Sequence, residues 1–87
     1  MYYYTYVLRS KKDGLWYTGC TGDLRKRLSD HLHGYSIATK GRGPFEIIYI
    51  EVCRSQQDAF YREKYLKTGL GKRYLRSRLK RFLTRTG

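Results

Sequence analysis

The segment Phe45-Glu46-Ile47-Ile48-Tyr49-Ile50-Glu51-Val52 is nearly continuous in apolar residues and is the clearest strand in the chain. A strand needs neighbours for its backbone donors and acceptors, so this segment commits the chain to a sheet. The N-terminal residues supply the partners. Residues 2–9 are rich in Tyr, Val, Thr and Leu, Lys11-Lys12-Asp13-Gly14 carries an Asp-Gly turn signal, and Leu15-Trp16-Tyr17-Thr18-Gly19 is a second short strand. Together they read as a β-hairpin.

Helical signals fill the rest. Thr21-Gly22-Asp23 opens a helix with Thr21 or Asp23 as its cap, and Leu24, Leu28 and Leu32 mark its buried stripe before Gly34 stops it. A basic loop with Lys40, Arg42 and Pro44 covers residues 35–44. Ser55-Gln56-Gln57-Asp58 resembles a capping box for a second helix running to about Thr68, with Gly69 as the stop. A third helix from about Lys72 carries Leu75, Leu79, Phe82 and Leu83 on one face. The expected fold is α/β (α+β), a small three-stranded, mainly antiparallel sheet flanked by helices in the order ββαβαα. The 87 residues suit one domain, 1–87.

Charge says what this domain meets. Nineteen Lys and Arg face seven Asp and Glu, for a net charge of +12, and no acidic side chain follows Glu63. Such a field draws polyanions, and nucleic acid is the expected partner, ahead of an anionic membrane. Cys20 and Cys53 have no metal-site spacing and are expected as free thiols in a reducing compartment. The N-terminus lacks the pattern of a signal peptide and no apolar run approaches a membrane span, so the expected location is cytoplasmic.

Taken one at a time, the candidate residues are ordinary. Tyr6 and Tyr17 sit on the hairpin among many other tyrosines and read as packing. Arg27 and His31 are four apart, about 40° around a helix axis, at the margin of the leucine stripe. Such a pair can grip a phosphate, but spacing alone favours a solvated helix edge. Glu63 shares the inward face of its helix with Ala59 and Leu66, among Arg62, Lys64 and Lys67. A buried ion pair with an Arg and a ligand for a divalent metal are equally good reasons for it.

Read in order, these residues resemble the GIY-YIG nuclease family. The resemblance is to its small single-domain bacterial proteins, which are related to the N-terminal nuclease domain of an excision-repair endonuclease. The first half-motif stands as Tyr4-Thr5-Tyr6 followed by Val7-Leu8, and the second as Tyr17-Thr18-Gly19. Arg27 follows ten residues after Tyr17, within Asp23-Leu24-Arg25-Lys26-Arg27-Leu28, and His31 four residues later. Gly41-Arg42-Gly43-Pro44 matches the basic loop, and Glu63 lies within Arg62-Glu63-Lys64-Tyr65-Leu66-Lys67-Thr68-Gly69. The chain departs from the pattern in four places. Tyr4 and Thr5 replace Gly and Ile, Cys20 stands where Lys or Ser is common, and Leu32 stands where Asn is frequent. The Cys20 thiol reads as packing.

The resemblance implies a divalent-metal-dependent endonuclease acting on DNA rather than RNA, in repair or recombination. Its catalytic set would be Tyr6, Tyr17, Arg27, His31 and Glu63, with one Mg²⁺ or Mn²⁺ on Glu63. Arg27 would hold a phosphate oxygen, a tyrosine would activate water, and His31 would relay a proton or hold a phosphate. A free phenol has a pKa of ~10, so a tyrosine base needs nearby cations to lower that value. Lys40, Arg42, Lys72, Arg73 and Arg76 are the expected nucleic-acid contacts. The alternatives are a nucleic-acid-binding module with a vestigial nuclease site and a basic RNA-binding protein. Sequence does not indicate an oligomeric state.

Overall fold

In the computed structural model, which describes residues 1–34 and 39–86, the elements run β1 (Tyr3–Ser10), β2 (Trp16–Thr21), α1 (Leu24–Leu32), β3 (Phe45–Cys53), α2 (Gln56–Leu66), α3 (Gly69–Arg78) and α4 (Lys80–Thr86). The sheet order is β2-β1-β3, and β1 pairs antiparallel with both neighbours. This is the three-stranded α+β arrangement expected from the sequence. Of the loop expected over 35–44, residues 35–38 lie outside the described residues. Among the described residues no helix is long and apolar enough to cross a membrane.

Position in the sheet decides burial. β1 is central, and Thr5, Tyr6, Val7 and Leu8 are all buried, on both faces. β3 is an edge strand with one face open, and Ile47, Ile50 and Val52 are substantially exposed despite their apolar character. The β1–β3 register shifts between Val7 and Leu8. Tyr49 lies opposite Val7 and Ile47 opposite Leu8, leaving Ile48 as the extra residue. That bulge brings Ile48 onto the core side, where it joins Val7, Leu66 and Leu75. Trp16, Tyr49, Tyr74 and Leu79 pack around this cluster. Full burial of each aliphatic side chain contributes about 1.5–3 kcal/mol.

The helices begin where capping chemistry places them. Asp23, not Thr21, caps α1 by accepting from Lys26 N–H at 3.1 Å, while Thr21 Oγ1 accepts from Asp23 N–H. Ser55 caps α2. The end of α2 differs from expectation. It stops at Leu66, and Thr68 caps the next helix by accepting from Gly71 N–H at 3.1 Å. Gly69 therefore opens α3 rather than ending α2. A Cβ on Gly71 would collide with the carbonyl oxygen of Tyr65 and with Leu66 Cα. The missing side chain thus lets the first turn of α3 seat on α2 and sets the position of Lys72. The last helix breaks at Leu79 into α3 and α4. Leu75 is fully buried and Leu79 half-buried, while Phe82 is exposed and takes the Arg9 guanidinium over its ring at 5.3 Å.

The leucine stripe of α1 is the main correction. Leu24 and Leu28 are half-buried, but Leu32 is 67% exposed, and the one buried residue of the helix is His31. The helix is turned so that an imidazole with two hydrogen-bond partners faces inward, and the leucine beside it faces solvent.

Candidate active site

The site begins with a missing side chain. Tyr6 and Gly19 are paired across β1 and β2, and the tyrosine ring lies over the glycine. A Cβ on Gly19 would come within 2.5 Å of the Tyr6 hydroxyl and 2.7 Å of Cζ. Glycine in the second half-motif therefore makes room for the tyrosine of the first, and this places the phenol beside α1.

There the Tyr6 hydroxyl lies 3.0 Å from Nε2 of His31, with the two rings edge to face at 5.8 Å. Nδ1 of His31 lies 2.7 Å from Oγ1 of Thr39, whose side chain is also buried. The imidazole is thus held at both nitrogens. Burial, aided by the Arg27 guanidinium, lowers the His31 pKa below its usual value, so the ring is neutral at physiological pH. Burial raises the pKa of Tyr6 even though the nearby Arg27 guanidinium pulls the other way. The expectation that nearby cations lower a tyrosine pKa fails at Tyr6, because desolvation of the phenolate outweighs the guanidinium.

Arg27 is half-exposed and also lies 3.9 Å from Asp30, one turn on. Glu63 enters from α2. Its side chain is only 16% exposed and its Oε2 accepts from Lys67 Nζ at 2.8 Å. The ion pair open as a reading of the sequence is therefore with a lysine one turn along the helix, not with an arginine. Cys20 on β2 lies beside the same carboxylate. Burial first, and then Glu63, pushes its thiol up to about 11. Cys20 is thus protonated and part of the site wall, beyond mere packing. Both cysteines are free thiols.

Tyr6, Tyr17, Arg27, His31 and Glu63 all line one open hollow of about 430 Å³, although they come from β1, β2, α1 and α2. Tyr17 stands apart from the Tyr6–His31 pair. Its ring meets Phe45 edge-on at 5.3 Å, and the Arg42 guanidinium near its hydroxyl pairs with Asp13 at 3.1 Å. Of the expected nucleic-acid contacts, Lys72 lines this hollow and Arg76 an adjoining one. Arg73 and Lys40 are exposed, and Arg42 is engaged by Asp13. Thr39 is the residue of this hollow, and the partner of His31, that sequence reasoning missed. A threonine in a basic loop carries no signal of a partner eight residues away.

Among the described residues no three His, Cys, Asp or Glu side chains gather as a metal cluster. The donor set nevertheless fits one hard cation. Mg²⁺ is commonly held by one or two carboxylates, with waters and substrate phosphate completing its shell. Glu63 offers such a carboxylate at the hollow.

The comparisons with known proteins agree with this geometry. The model of the GIY-YIG catalytic domain matches residues 2–80. UPF0213 protein CPE1444 of Clostridium perfringens is 40% identical over 65 residues, covering 74% of this chain and 69% of its own length. UPF0213 protein BH0048 of Halalkalibacterium halodurans is 38% identical over 68 residues, covering 77% and 71%. The solution NMR structure of UPF0213 protein BH0048 from Bacillus halodurans superposes with a TM-score of 0.56 at 36% identity, covering 88% of this chain and 84% of that one.

Proposed function

The chain belongs to the GIY-YIG nuclease family, and on that premise we propose that it is a divalent-metal-dependent endonuclease that hydrolyses DNA phosphodiester bonds. The observation that carries this reading is the convergence of Tyr6, Arg27, His31 and Glu63 on one hollow, with a neutral imidazole hydrogen-bonded to a protonated phenol.

The chemistry follows from those contacts. With its proton on Nδ1, toward Thr39 Oγ1, His31 presents Nε2 as an acceptor to the Tyr6 hydroxyl. Tyr6 takes a proton from the attacking water as it gives its own to His31, so no free phenolate forms. Arg27 binds a non-bridging phosphate oxygen and offsets the charge that develops there. Glu63 would hold a divalent ion, whose chemistry there would be to polarise the phosphate and offset charge on the leaving oxygen. Tyr17 lines the hollow on the hairpin side, and Lys72 adds a cation to its lining.

Incubation of the purified protein with branched, flapped and single-stranded DNA in Mg²⁺ or Mn²⁺ tests the proposal. Cleavage that disappears in excess EDTA and in Glu63→Gln is expected. Activity that survives both would rule out the metal-dependent reading. DNA bound but never cut would make the chain a binding module.

A further inference from the structure

The hollow that holds the site continues into a second one of about 430 Å³, at the start of β2 and the hairpin turn. Trp16, Tyr17 and Lys72 line both hollows, and Gly14, Leu15 and Arg76 complete the second. A groove therefore follows β2, the edge strand of the sheet, past the hydroxyl of Tyr6. Its volume is in the range of hollows that take small planar ligands.

The chemistry of the second hollow differs from that of the first. Its floor is aromatic and apolar, and its wall is cationic. Lys72 and Arg76 are four apart on α3 and share a face. Among the described residues neither carries an ion pair, whereas Arg42, Arg62 and Lys67 are committed to Asp13, Glu51 and Glu63. Gly14 sits in the left-handed region at φ 75°, and a Cβ there would meet nothing within 4 Å, so the end of the hollow is open. An aromatic floor beside unpaired cations is the arrangement that takes a nucleotide, with the base stacked and the phosphate neutralised.

We propose that this second hollow is a stacking subsite for an unpaired nucleobase, held on Trp16 with its phosphate between Lys72 and Arg76, and that the protein accordingly engages single-stranded or frayed DNA. The proposal rests on the reading of the first hollow as a phosphodiester site. Only an unpaired base offers its face to a side chain, since in a duplex both faces are covered by neighbouring bases. Trp16 and Gly19 are three residues apart on an extended strand, about 10 Å. The stacked base thus belongs to a nucleotide close to the scissile phosphate on the same strand.

Trp16 is the sole tryptophan of the chain, so its fluorescence reports the subsite directly. The test is a titration of the intact protein in EDTA with a thymidine oligonucleotide and with a blunt duplex of equal length, at one salt concentration. Saturable quenching by the single strand is expected, with affinity about tenfold or more above that for the duplex. Trp16 also packs against the core, so Trp16→Leu is read only with a melting curve. Lys72→Gln with Arg76→Gln touches exposed side chains and is expected to weaken binding and flatten its salt dependence by about two ions. Binding with unchanged fluorescence, equal quenching by duplex, or no binding would each overturn the subsite. Adding Mg²⁺ separates the two readings. Quenching without cleavage sinks the nuclease and keeps the subsite, and cleavage without quenching does the reverse.

Discussion

Nε2 of His31 lies 3.0 Å from the hydroxyl of Tyr6, and both groups are buried. The pair joins a strand to a helix 25 residues away, and in the proposed reaction it makes the phenol part of a proton path. Its other end is Thr39 at Nδ1. The consequences can be measured one residue at a time.

Thr39→Val keeps the shape of the side chain and removes its oxygen. The buried Nδ1 of His31 then has no partner, which costs about 1–3 kcal/mol of stability. The imidazole is also free to carry its proton on Nε2, where it cannot accept from Tyr6. Slower cleavage and altered His31 ¹⁵N shifts are expected, with Thr39→Ser restoring both. Wild-type shifts and rate in the valine variant would remove Thr39 from the path.

His31 sets a pH dependence of known sign. Its folded pKa is lowered by burial and by Arg27, below an unfolded value of about 6.5. As pH falls through that value the unfolded chain takes up the proton first, so stability is full above it and is lost as pH falls toward the folded pKa. Melting temperature between neutral and mildly acidic pH is expected to drop more steeply in the wild type than in His31→Gln. The cleavage rate is expected to fall on the same acid limb, because an imidazolium cannot accept from Tyr6. Parallel melting profiles for the two proteins would show that His31 does not set the acid limb.

Arg27 acts on both partners of the pair. It lowers the pKa of His31 and opposes the rise at Tyr6. In Arg27→Ala both values are expected to rise, visible by NMR titration. Cleavage is expected to fall by about 10²–10³-fold, as when an oxyanion donor is lost. Arg27→Lys keeps the charge but not the bidentate fork, so it is expected to restore the His31 pKa better than the rate. Complete rescue of the rate by lysine would mean that Arg27 acts only as a point charge.

Lys67 occupies Oε2 of Glu63 at 2.8 Å, where a metal would compete with it. Lys67→Gln is expected to tighten Mn²⁺ binding several-fold, read by electron paramagnetic resonance without substrate. Glu63→Gln in the same background is expected to abolish it. Unchanged Mn²⁺ affinity in Lys67→Gln would show that the ion does not use that oxygen.

Sequence by itself determined the local pieces and named the candidate residues that line one hollow. The β3 strand, the hairpin with its Asp-Gly turn, and the caps Asp23 and Ser55 follow from chemistry between residues a few positions apart. The ordered set from Tyr4-Thr5-Tyr6 to Glu63 was also legible, through a family resemblance, because it is a matter of residue type and spacing. Tertiary structure decided which side of each piece faces inward. Leucine periodicity on α1 favours burying Leu32, yet His31 is buried because Tyr6 and Thr39 satisfy both of its nitrogens. Residue type makes β3 apolar, but its place at the sheet edge leaves Ile47, Ile50 and Val52 exposed while a bulge turns Ile48 inward. Burial likewise raised Tyr6 where the Arg27 guanidinium alone would have lowered it. Periodicity weighs each side chain against water alone. Hydrogen bonds and desolvation depend on partners far along the chain, and those partners meet only once the sheet and helices have packed.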